Sequence, residues 1–138
     1  MINFEKVIPN QKQIQELYHL LTNRRHSISH QSLPSFEEHS RFISENPYRV
    51  WYLIRKNFEL LGSTYIQNDN SVGIDLKLPN KEDVIEISSY IKKNYLPLKP
   101  VKSLRRGEFF INMSPDNKEL IEVFKKLNQK EIQRSFLI

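Results

Sequence analysis

Residues 73–86 read GIDLKLPNKEDVIE, and the change of period inside this stretch decides the fold. Val72, Ile74, Leu76 and Leu78 alternate, which predicts a strand with one apolar side. Pro79 and Asn80 interrupt it. Val84, Ile87 and Ile91 then recur at helical spacing, so strand gives way directly to helix. A helix that opens at the end of a strand offers unpaired N–H groups and a positive dipole end, a natural setting for phosphate. Yet this turn has no glycine, and it carries Glu82, Asp83 and Glu86. Two readings stay open. Either the helix start binds an anion, or it satisfies its own donors, with Asn80 as N-cap, Asp83 as capping partner and the acids offsetting the dipole.

Working outward, residues 2–8 read as a first strand. Asn10 can cap a helix whose apolar residues recur at Ile14, Leu17, Tyr18 and Leu21. A polar loop, residues 23–33, holds two arginines and two histidines. Pro34 and Ser35 start a second helix, with Phe36, Ser40 and Ile43 on one side, and Asn46-Pro47 stops it. Residues 50–54 and 58–66 are strands joined by a turn at Lys56-Asn57, and Asn68-Asp69-Asn70 marks a second hairpin into residues 72–78. After the third helix, a loop containing Pro97 and Pro100 leads to a strand at residues 109–113. Ser114-Pro115-Asp116 begins a last helix that carries Leu120, Ile121, Phe124 and Leu127, and residues 131–138 read as a final strand.

The order is β, α, α, β, β, β, α, β, α, β. Hairpin-linked strands form an antiparallel sheet, whereas the strands on either side of the third helix need a crossover and so run parallel. The class is α/β (α+β), a single domain over residues 1–138.

The chain has no cysteine, which excludes a disulfide framework, a thiolate nucleophile and a Cys-containing zinc site. His26 and His30 are spaced i, i+4 without a third ligand nearby, so no metal is expected. No apolar run approaches the roughly 18 residues of a membrane span, and no signal-peptide stretch opens the sequence. A cytoplasmic protein with no membrane partner is the expectation. The formal charge of +5 is concentrated: no acid falls between Glu86 and Glu108, where Lys92, Lys93, Lys99, Lys102, Arg105 and Arg106 lie. Such a run holds phosphates or is a solvated loop; nucleic acid is the weakest of the partner readings.

This order, with the residues that fill it, resembles the GNAT superfamily of acyl-CoA-dependent N-acyltransferases over nearly the whole chain. PYRVWYLIRKNFELLGSTYIQNDNSVGIDL looks like that family's central hairpins, and FFINMSPDNKELIEVFKKLNQKEIQRSFLI like its C-terminal strand–helix–strand. RHSISHQSLPSFEEHSRF is similar to members that acylate amino sugars on nucleotide carriers, where a Glu-Glu-His helix also leads to a strand beginning Tyr-Arg-Val-Trp. The resemblance implies a mixed sheet of about six or seven strands flanked by about four helices. It implies acetyl-CoA, or another acyl-CoA, as co-substrate and a small-molecule amine as acceptor, and it leaves room for a homodimer. The main chain of Ile74, Asp75 and Leu76, with Lys81 and Asn117, would hold the cofactor. For the base that deprotonates the amine, His39 leads over His26, His30, Glu37 and Glu38. Arg24, Arg25 and His26 would grip a nucleotide-sugar phosphate or simply end a helix.

The family's pyrophosphate loop follows Gln/Arg-x-x-Gly-x-Gly/Ala, its glycines letting main-chain N–H groups approach two phosphates. Here Lys81 takes the first place and Val84 and Glu86 the two small ones, with Glu82 where many members have another glycine. A carboxylate a few ångströms from a phosphate costs roughly 1 kcal/mol in water and several times that at an effective dielectric near 20. The family's acidic tyrosine, seven residues beyond Asn117, is Phe124, which has no proton to give, and its Gly-Phe after that helix is Asn128-Gln129. The rival to an enzyme is therefore a GNAT-fold binding module without acyl transfer.

Overall fold

The structure, a computed structural model, describes residues 1–24 and 32–138. The elements are β1 (Asn3–Lys6), α1 (Gln11–Thr22), α2 (Phe36–Glu45), β2 (Val50–Lys56), β3 (Glu59–Ile66), β4 (Ser71–Leu76), α3 (Lys81–Asn94), β5 (Phe110–Ile111) and α4 (Lys118–Lys126). The five strands form one mixed sheet in the order β1-β2-β3-β4-β5. The first three pairings are antiparallel and β4–β5 is parallel, as the crossover through α3 requires.

Strand alternation sends side chains to two cores. Val50, Tyr52 and Ile54 of β2, with Ile66, Val72 and Leu76, face Val84, Ile87 and Ile91 of α3 and Leu120 and Val123 of α4. Trp51 and Leu53 face the other way, with Leu17 and Leu20 of α1 and Ile43 of α2. The nearly continuous apolar run of β2 is thus a strand covered on both faces.

Each helix start follows from its cap. Asn10, Ser35, Asn80 and Asn117 each accept a hydrogen bond from a first-turn N–H. Asn46 ends α2 in the left-handed region, with φ 39°. In α1 the buried face carries Gln13, which no apolar pattern reveals. Its Oε1 accepts from Ile8 N at 2.7 Å and its Nε2 donates to Lys6 O at 3.2 Å, so the side chain completes the β1–α1 turn.

One expected element is missing. Residues 131–138 form no strand, and Phe136 and Leu137 stand exposed. The sheet therefore has five strands rather than six or seven. A strand is defined by its pairing, and residues 131–138 pair with no strand of the sheet. Leu78 likewise falls past the end of β4 and is exposed.

Candidate functional site

The β4–β5 pairing consists of Ser71–Phe110 and Val72–Ile111, and then stops. Beyond that point β4 continues alone on this side. Its main-chain groups can be assigned from the β3 ladder, where Ser71 O accepts from Gln67 N and Lys77 N donates to Leu61 O. Every second residue of β4 therefore bonds to β3, which includes Gly73 and Asp75. The N–H and C=O groups of Ile74 and Leu76 fall on the opposite edge, where β5 has ended.

That open edge borders a cavity of about 240 Å³. Ile74, Asp75, Leu76, Lys77 and Pro79 line it from β4 and the following turn. His19, Leu20, Asn23 and Arg24 line it from α1, and Asn117, Glu119 and Leu120 from α4. Because α1 and α4 lie on opposite faces of the sheet, the cavity is lined from both faces at the edge of β4.

Four of the expected cofactor residues, Ile74, Asp75, Leu76 and Asn117, meet at this cavity. Their contributions differ. Ile74 and Leu76 offer main-chain groups. Asp75 has its main chain in the β3 ladder and contributes its carboxylate, whose Oδ2 lies 3.4 Å from Arg24 Nη2. Burial pushes this carboxyl above the usual carboxylate range, with Arg24 pulling against it. Asn117 Oδ1 is occupied as the α4 cap, accepting from Leu120 N at 3.3 Å.

Lys81 is elsewhere. It is the first residue of α3, exposed, and outside the cavity lining. Around it the helix start has closed on itself. Asp83 N donates to Asn80 Oδ1 at 2.9 Å, Asn80 Nδ2 returns a bond to Asp83 Oδ2 at 2.7 Å, and Lys56 Nζ lies 3.6 Å from Asp83 Oδ1. Glu86 accepts from Ile2 N at 2.5 Å and so ties the N-terminus to α3. Of the acids in this turn, Asp83 and Glu86 have structural employment, and Glu82 stands exposed.

His39 is buried on α2 among aromatic rings, 5.5 Å from Tyr18 and 6.4 Å from Phe42 between centroids, and does not line the cavity. Glu37 and Glu38 are exposed in the first turn of α2. Arg25, His26 and His30 lie outside the described residues. Gly73 does not contact the cavity either. The Tyr65 ring lies over it, so that a Cβ there would fall 2.0 Å from Tyr65 Cζ.

Phe124 packs against the α3–α4 core. Asn128 stands where the sequence resemblance expected a glycine; with φ 58° it closes α4, Asn128 N bonding Lys125 O and Gln129 N bonding Phe124 O. This is a Schellman closure, which asparagine tolerates almost as glycine does. The basic segment lies apart from the cavity, since Asn70, at the opposite end of β4, binds Leu98 and Arg106 of its loop. Within it, Arg105 donates to the carbonyls of Lys99 and Asn68.

His19, Asn23, Lys77, Pro79 and Glu119 complete the cavity, and nothing in the sequence marked them. Among the described residues no group of His, Cys, Asp and Glu is placed to hold a metal, and no helix is long and apolar enough to cross a membrane.

No known family profile and no curated protein matches the chain. A crystal structure of a domain from Methanocaldococcus jannaschii DSM 2661 is similar over 98% of this chain and 92% of that one, with a TM-score of 0.70 at 16% identity. At that identity the likeness concerns the fold alone.

Proposed function

We propose that the chain is an acyl-CoA-dependent N-acyltransferase of the GNAT type, acting on the primary amine of a small molecule. The observation that carries the reading is the end of β4–β5 pairing after Val72–Ile111, which leaves the Ile74 and Leu76 edge open onto a cavity lined from both faces. An extended amide-bearing arm, such as pantetheine, can add to that edge as a strand would. The acyl-CoA supplies the activated carbonyl; the protein supplies position and a base.

In this reading Asp75, rather than His39, takes the proton, because Asp75 lines the cavity and burial has raised its basicity. The substrate ammonium gives one proton to Asp75; the freed amine forms a C–N bond as the C–S bond breaks, and a second nitrogen proton passes to the departing sulfur. The diphosphate would not lodge at the α3 start as in the family pattern, because Asn80 and Asp83 already occupy each other there. A nucleotide-linked amino sugar is the acceptor that the sequence resemblance suggests.

Calorimetric titration with acetyl-CoA, paired with a free-thiol assay over a panel of amines, tests the reading. Saturable binding in the micromolar range and amine-dependent thiol release are expected. No heat at millimolar acetyl-CoA together with no thiol release overturns it.

The closed α3 start and the apolar Phe124 favour a second reading, a binding module that has given up acyl transfer. It predicts ligand binding at the same cavity with no thiol release for any amine.

A further inference from the structure

We propose that the α1 side of the cavity binds a compact zwitterion, an α- or β-amino acid, whose ammonium sits on Asp75 and whose carboxylate sits on Arg24. Resting on the acyl-transfer reading, this zwitterion is the acceptor; as a binding site it stands without that reading.

The protein itself provides the comparison. Arg55 also pairs across elements, and its guanidinium lies 2.7 Å from Glu16 and 3.0 Å from Glu5, with its side chain only 11% exposed. Those contacts are short, go to two carboxylates and hold a buried cation. Arg24 and Asp75 differ in each respect. Their closest approach is 3.4 Å, their side chains are 30% and 26% exposed, and both line the cavity. The pair sets a cation and an anion side by side on the cavity wall.

The separation of those groups sets the ligand. Because guanidinium and carboxylate nearly touch, an inserted molecule must carry its ammonium and its anion close together, one or two carbons apart. Size agrees. A cavity of about 240 Å³ has room for a molecule of that size on its α1 side. Arg24 lies two residues past the end of α1, its main-chain N–H bonded to Leu21 O at 3.2 Å, so only a short side-chain displacement of the guanidinium is needed to admit the ligand between the two groups. Asn23, Asn117 and His19 add side-chain hydrogen-bonding groups around the pair, and Lys77 a second cation.

Binding is measured by calorimetry on the whole chain without acyl-CoA, using the standard α-amino acids and β-alanine, with glucosamine and glucosamine 1-phosphate beside them. At least one amino acid is expected to bind saturably. Its carboxamide, which lacks the anion, and its N-acetyl derivative, which lacks the ammonium, should each bind at least about tenfold more weakly. Arg24→Gln should erase the preference for acid over carboxamide, and Asp75→Asn the preference for amine over N-acetyl derivative. A purely structural ion pair would weaken all these ligands together. Binding of glucosamine 1-phosphate but of no amino acid overturns the proposal, as does an Arg24→Gln variant that keeps the preference for the acid. Amino-acid binding without thiol release in the acetyl-CoA assay upholds the site and overturns acyl transfer. Thiol release with glucosamine but with no amino acid does the reverse.

Discussion

Asn80 and Asp83 bind each other twice at the start of α3, main chain to side chain at 2.9 Å and side chain to side chain at 2.7 Å. The arrangement is reciprocal like a capping box, except that Asp83 accepts from the Asn80 side-chain amide and not from its main-chain N–H. Asp83 is buried there and also meets Lys56, so the closure is part of the packing of α3 on the sheet. Asn80→Ala should therefore cost about 1 kcal/mol, the ordinary worth of an N-cap. Asp83→Ala should cost somewhat more, since it also strands Asn80 and Lys56. Urea unfolding of the two variants checks the order. If neither midpoint moves, the α3 start is not closed as described.

Two glycines near the cavity differ in what stands over them, and their alanine variants should differ accordingly. A Cβ at Gly73 meets the Tyr65 ring, a side chain that can swing away at the expense of its 4.0 Å stacking on Tyr48. A Cβ at Gly62 would fall 1.9 Å from the main-chain oxygen of Asp75, inside the β3–β4 ladder, where nothing can yield without moving the strand. Gly73→Ala should cost about 1–3 kcal/mol, as overpacking does, and Gly62→Ala more. Adding Tyr65→Ala to Gly73→Ala should recover part of the loss, so the pair will be non-additive. Chemical unfolding of the three variants and the double variant measures this. Equal costs at the two glycines would contradict the distinction.

Periodicity was enough to lay out most of the chain. The alternation of Val72, Ile74 and Leu76 and the spacing of Val84, Ile87 and Ile91 gave β4 and α3, and Asn10, Ser35 and Asn80 cap where their sequence positions suggest, whereas the last helix is capped by Asn117 and not begun at Ser114-Pro115-Asp116. Residues 131–138 have strand-like composition but no strand, because composition carries no information about whether an edge is available. The self-closing of α3 was legible as one of two alternatives, since Asn80 and Asp83 are local neighbours. The Arg24–Asp75 pair was not, because it joins the end of α1 to the far end of β4 and depends on how the helix lies over the sheet. Asp75 was expected to act through its main chain, whereas ladder parity commits that main chain to β3 and leaves the carboxylate at the cavity.

Asn70 should control the long loop between α3 and β5. It is fully buried, has φ 73°, and spends its side chain on three bonds: to Leu98 O at 2.9 Å, to Arg106 O at 2.8 Å, and from Leu98 N at 2.7 Å. Asn70→Gly keeps the left-handed backbone free of strain but removes all three bonds, for a loss of about 3 kcal/mol at about 1 kcal/mol each. Asn70→Ala loses the same bonds and adds about 1–2 kcal/mol for a Cβ in that region. Hydrogen exchange should show the Leu98 amide losing protection in both variants, with the α1 amides less affected. Full protection at Leu98 in Asn70→Gly would mean that the loop is held by something else.

Asp75 makes the stability of the fold depend on pH in a direction opposite to that of an ordinary salt-bridged carboxylate. Burial raises its folded value above the unfolded one, and Arg24 only partly offsets this. His19 on α1, Lys77 after β4 and Glu119 on α4 share the cavity wall with it. A carboxyl raised on folding contributes stability that is fully present below the unfolded value, near about 3.9, and is lost as pH rises through the folded value. Asp75→Asn removes that ionisation. The variant should therefore gain in melting temperature over the parent as pH climbs from about 4 to about 7, with the largest gain at neutral pH. If the acyl-transfer proposal holds, it should also lose that activity over the same interval, because the proposed base is gone. Parallel melts of parent and variant across this range read the stability term directly. An Asp75→Asn protein that is the less stable of the two at neutral pH would mean that attraction to Arg24 outweighs burial, and that the carboxylate is held as a structural partner rather than poised as a base.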